Sequence, residues 1–119
     1  MNKGFLINVK EKTITEVQVG DYKDIQSKIG CRCFDVVSID DDNDVYVDDE
    51  GLLSIDDNSK FFGFKGHDIR LCGNGVVLGI NQKTGDSKDC TITKEWLNEN
   101  IVFFELNDCI PYLERVGIF

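Results

Sequence analysis

Residues Cys33–Leu53 read CFDVVSIDDDNDVYVDDEGLL. In an extended chain, Cys33, Asp35, Val37 and Ile39 share one face, and Phe34, Val36 and Ser38 share the other. The acidic run Asp40–Asp44 interrupts this pattern. It then resumes, with Val45 and Val47 on one face and Tyr46 on the other. Two β-rich runs joined by an Asp-rich turn predict a β-hairpin, with Cys31–Ile39 as its first strand and Asp44–Asp48 as its second. A second turn at Asp48–Gly51 lets Leu52–Ile55 fold back onto the core.

The same stretch carries the charge of the chain. Asp40–Asp57 holds 9 acidic residues and no Lys or Arg, while the rest of the chain balances 13 acidic against 13 basic residues. The net charge of −9 is therefore confined to one segment.

Working outward, Gly4–Val9 and Ile14–Val19 flank a short polar turn and predict an N-terminal hairpin. Gly20 breaks the second strand. Asp21 is a suitable N-cap for a helix over Tyr22–Ile29, whose Tyr22, Ile25 and Ile29 fall on one face, and Gly30 is a suitable stop. Downstream, Phe61–Gly75 mixes aromatic residues with turn formers and predicts a loop or a short strand pair. Gly75–Asn81 predicts a buried strand, with Gly79 at a bulge or a close backbone approach. Thr93 can cap a helix near Lys94–Asn100 that buries Trp96 and Leu97. Ile101–Leu106 predicts a last strand. The fold class expected is α+β: a single domain over residues 1–119 with a mostly antiparallel sheet of about five to six short strands and two short helices. The tail from Asn107 to Phe119 is amphipathic. It is expected to pack on its own domain or on a second copy, with a homodimer contact favoured.

At 119 residues the chain can bury roughly two thirds of its unfolded surface. A sequence pI of about 4.4 and scattered basic residues argue against direct binding of nucleic acid or of an anionic membrane. The five cysteines form no Cys-x-x-Cys pair, and the opening MNKGFLINVKEK holds no apolar run of signal-peptide length. A cytoplasmic protein with reduced thiols is expected.

The blocks GFLINVKEKTITEVQV, CFDVVSIDDDNDVYVDDEGLL and LCGNGVVLGIN (Leu71–Asn81), with a helix ending in Ile29-Gly30, resemble a family known only as a domain of unknown function, carried mainly by phages, plasmids and their bacterial hosts. The resemblance spans about the first hundred residues. It implies a small accessory protein of a mobile element and assigns no catalytic residue. The tail after Asn107 lies outside it.

Four candidate sites follow. The acidic residues Asp40, Asp41, Asp42, Asp44, Asp48, Asp49, Glu50, Asp56 and Asp57 form a candidate protein-binding surface for a basic host protein. They fail as a calcium loop. Counting from Asp40, Val45 occupies the required Gly position and Gly51 the required Glu. The plain alternative is a solvated turn that keeps a hairpin edge from aggregating. Second, Lys65, His67, Arg70 and Asn74, with Phe61, Phe62 and Phe64, could clamp a small nucleotide, although those Phe residues suit a core equally well. Third, Cys31 and Cys33 with His67 and Cys72 offer only one close pair toward zinc, so they read as core thiols. Fourth, His67-Asp68 is the one histidine-carboxylate pair, and it reads as surface. No catalytic residue, metal or cofactor is expected.

The functional expectation is a non-enzymatic phage-type counter-defence inhibitor. It would bind a host defence nuclease or nucleic-acid-binding protein through an acidic, nucleic-acid-like face. The alternatives are a sponge for a signalling nucleotide and a purely structural accessory module.

Overall fold

A computed structural model describes residues Met1–Phe119. The Asp-rich hairpin is present. Strands β3 (Phe34–Ser38) and β4 (Asn43–Asp48) pair antiparallel, with Val37 opposite Val45 and Val36 opposite Tyr46. Before it come β1 (Asn2–Asn8) and β2 (Thr13–Val19), which form the N-terminal hairpin, and helix α1 (Tyr22–Ile29). After it come a 3-10 turn (Gly51–Leu53), β5 (Lys60–Phe64), β6 (Leu71–Cys72), β7 (Gly75–Ile80) and β8 (Ser87–Lys88). Helix α2 (Lys94–Asn100), β9 (Ile101–Glu105) and α3 (Leu106–Arg115) complete the chain.

The strands form two sheets, and every pairing in both is antiparallel. One has six strands, ordered β2-β1-β7-β4-β3 with β8 beside the far end of β7. The other has three, ordered β6-β5-β9. Strand alternation then builds four layers. Phe5, Ile7, Val45, Val47 and Val77 on one face of the large sheet meet Phe62, Phe64, Leu71 and Ile101 of the small sheet. Val76 and Leu78, on the opposite face, meet Ile25 and Ile29 of α1. Phe61, one residue from Phe62 and so on the outer face of the small sheet, meets Cys109 and Leu113 of α3. Gly75 permits the central contact, since a Cβ there would press against the Phe62 ring at 2.7 Å. Gly79 is the close approach read from the sequence, because a Cβ there would collide with the Asp89 carbonyl.

The α+β class with a mostly antiparallel sheet agrees with the sequence reading, and the caps of α1 lie where expected. The Asp21 side chain accepts from the Asp24 amide at 3.2 Å, and Gly30 sits at φ 80° with its amide on the Gln26 carbonyl at 2.8 Å. Four details differ. A second sheet exists because Lys60–Phe64 pairs with Ile101–Glu105 across the 36 intervening residues of sequence, beyond the reach of local patterning. A third helix, α3, covers that sheet through Cys109 and Leu113, with Ile118 beyond its end packed beside them. Tyr22 is 57% exposed and Trp96 is 39% exposed, where both were expected to be buried. Each sits on the first turn of its helix, while Ile25 and Ile29 of α1 and Leu97 of α2, further along, are buried.

No helix is long and apolar enough to cross a membrane.

Candidate functional site

The acidic segment divides between the two ends of the β3–β4 hairpin. At a rise of about 3.3 Å per residue, the six residues of β4 set these ends roughly 17–20 Å apart.

At the tip, part of the acidic run is spent on structure, while Asp41 and Asp42 stay exposed. Asp40 Oδ1 accepts from the Asp42 amide at 2.8 Å and from Asn43 Nδ2 at 3.0 Å. Asn43, 1% exposed, donates to Thr91 Oγ1 at 2.8 Å and accepts from the Thr91 amide at 3.0 Å. Asp42 faces Lys88 at 3.4 Å, and the Asp41 carbonyl accepts from Gln82 Nε2. Asp44 is 7% exposed, so it is not a surface residue as the sequence reading had it. It lies across from Leu78 on the α1 face of β4, an interior strand whose neighbours Asn43 and Val45 are buried too. Burial, reinforced by the nearby Asp40, raises its pKa above the ordinary carboxylate range.

At the base, carboxylates border a cleft of about 200 Å³ between β3 and the segment leading into β6. Asp35, Asp48, Asp49 and Arg70 are its charged lining residues, beside the apolar Val37, Val47, Ile69 and Leu71. Asp48 Oδ1 also accepts from the Glu50 amide at 2.9 Å, and Glu50 pairs with Arg32 at 2.8 Å. The Arg70 guanidinium lies over the Phe104 ring, 4.1 Å from its centroid. Its Nη1 donates to the Ile69 carbonyl at 3.1 Å, while Nε is buried without a hydrogen-bond partner. Three carboxylates and one cation thus border the same recess, and Asp35 and Asp49 are exposed to solvent there. Of the remaining acids, Asp56 is a turn residue whose Oδ1 accepts from the Asn58 amide at 2.8 Å, and Asp57 is exposed beside it.

The structure separates the second candidate set. Arg70 joins the acidic cleft. Lys65 and His67 border a smaller recess of about 80 Å³ with Phe64 and Trp96. Asn74 is elsewhere, its Oδ1 accepting from the Val9 amide at 3.0 Å. Phe61 and Phe62 are wholly interior and offer no ring face to a nucleotide. The two recesses share Val37 and Ile69, so they form successive parts of one groove along β3.

The zinc set disperses as well. Cys31 packs on the α1 side of the molecule and Cys72 on the α3 side. The five thiols are free, and burial raises the pKa of Cys31, Cys72, Cys90 and Cys109, the last to about 11. Asp68 turns away from His67 to pair with Arg115. The Arg115 hydrogen bond holds its carboxyl below the usual range.

Asp35 is the residue that site selection from sequence missed. The signal was present, because alternation puts it on the inward face with Val37 and Ile39, where a charge is out of place unless that face opens.

An acidic cleft at the margin of a four-layer α+β domain is therefore the site to explain. A family model described as "Domain of unknown function (DUF3846)" matches residues 1–99, and the chain belongs to that family. No curated protein and no solved structure matches the chain.

Proposed function

We propose that this chain is a non-enzymatic binding module that docks a basic surface of another protein through the acidic base of the β3–β4 hairpin. The observation that carries this reading is the gathering of Asp35, Asp48 and Asp49 at a partly apolar cleft, with Arg70 the one cation lining it. A basic partner side chain entering the cleft would exchange water for carboxylates and apolar contact. Such complementarity speeds encounter and rejects acidic competitors. The resemblance to proteins of phages and plasmids supports a narrower form of the reading. The partner would be a host nuclease or another nucleic-acid-binding protein in the bacterial cytoplasm, and docking would occupy the basic groove that receives phosphates.

The test is the triple variant Asp35→Asn, Asp48→Asn, Asp49→Asn. Wild-type protein is expected to retain a basic host protein from a bacterial lysate, with binding that weakens as salt is added. The variant should bind at least about tenfold more weakly at an unchanged melting temperature. Undiminished binding by a folded variant would overturn the proposal.

A further inference from the structure

We infer that β3 is a docking edge, and that an extended, basic segment of a partner protein adds to the large sheet there as one more strand. This rests on the reading that the acidic base binds a basic protein, and it specifies how.

The large sheet ends on β3, which has a neighbour on one side only. Ile39 donates its amide to the Asn43 carbonyl at 2.9 Å, and the Asp49 amide donates to the Cys33 carbonyl at 3.1 Å. Odd-numbered residues of this strand therefore bond inward to β4, and Phe34, Val36 and Ser38 turn their backbone groups outward. The outward amide of Val36 donates to the Asp35 carboxylate at 2.9 Å, and the Val36 side chain is 43% exposed. The opposite edge strand, β2, borders none of the three recesses of the molecule, whereas the groove follows β3 along its length.

Edge strands are commonly guarded by charge against unwanted pairing. Here the guard selects the visitor. A second copy of this edge would bring Asp35, Asp48 and Asp49 against their own kind. A basic strand would relieve that repulsion and supply an acceptor for the Val36 amide when Asp35 turns away to a Lys or Arg. Side chains of an added strand alternate in direction, so every second one would enter the groove. Residues near Asp35 and Asp48 would favour a cation. The position nearest Lys65 and Trp96 would favour an apolar side chain.

The probe is a ten-residue peptide alternating Lys and Val, at low ionic strength. Binding is read by fluorescence anisotropy and by amide hydrogen exchange of the protein. The expected result has three parts. Bound peptide slows exchange at Phe34 and Ser38. Val36→Pro, which removes an outward amide without touching the β4 ladder, weakens binding at least about tenfold. The same peptide with two adjacent central N-methyl groups, equal in charge, loses binding to the wild-type protein. This last arm holds even if the proline variant fails to fold. Binding that leaves those amides unprotected, or that survives N-methylation, overturns strand addition and leaves docking by charge standing. Binding of neither peptide overturns both.

Discussion

The two ends of one hairpin hold the same residue types and put them to opposite uses. At the tip, Asn43 and Asp44 are buried while Asp40 stays exposed. Asp40 orders the turn and Asn43 ties it to Thr91. At the base, Asp35, Asp48 and Asp49 border a recess, and no cation forms a salt bridge with them. Local acidity therefore says little about display. Asp44 is buried at the tip, whereas at the base Asp35 and Asp49 stay exposed, although Asp35 and Asp48 also accept from amides of their own segment.

The contrast can be broken most directly at Asn43. Asn43→Ala removes the buried amide that bonds Asp40 and Thr91 and should lower the unfolding free energy by about 1–2 kcal/mol in urea titration. A loss below about 0.5 kcal/mol would show that the tip is not a structural lock. Asp40→Ala removes one acceptor of two bonds at a more exposed position, with an expected loss of about 1 kcal/mol by the same measurement. At the base, the pair Asp48→Asn, Asp49→Asn should leave stability within about 0.5 kcal/mol, because the amide keeps the acceptor for Glu50 and no ion pair is lost. A large destabilisation there would erase the distinction between the two ends.

The smallest effect sharpens the contrast through pH. Asp44 has a raised pKa in the folded state, so its charge opposes folding at neutral pH. Asp44→Asn should stabilise the protein slightly at pH 7. That gain should vanish below about pH 4, where the carboxyl is protonated in both states. Asp24, Asp68 and Glu105 behave oppositely. Hydrogen bonds from Lys28, Arg115 and Lys60 lower their pKa values, so their contribution is lost as pH falls through the acid range. Melting temperatures across pH 3–7 check both signs.

What could be read in advance was local. Alternation in Val36–Ile39 and Val45–Val47, and the caps Asp21, Gly30 and Thr93, act within a few residues, and each lies where the sequence placed it. Helix α3 was hidden by two features. It follows β9 without a loop, and Pro111 sits inside it, where proline removes an amide donor and crowds the preceding turn. Its stop was nevertheless written in RVGIF. Gly117 at φ 83° lets the Ile118 amide reach the Leu113 carbonyl at 2.9 Å, a Schellman closure. The cleft was not legible as a whole. Asp35 and Arg70 meet only because the small sheet lies against the large one, and local pattern does not encode sheet stacking.

Helix α3 also bears on what counts as a unit. The family match ends at residue 99, before β9 and α3 begin. A chain cut at that boundary would lose the strand that pairs with Lys60–Phe64 and the lid over Phe61, leaving bare aromatic surface and an open strand edge. In this protein the folded unit extends past the residues that the family model matches.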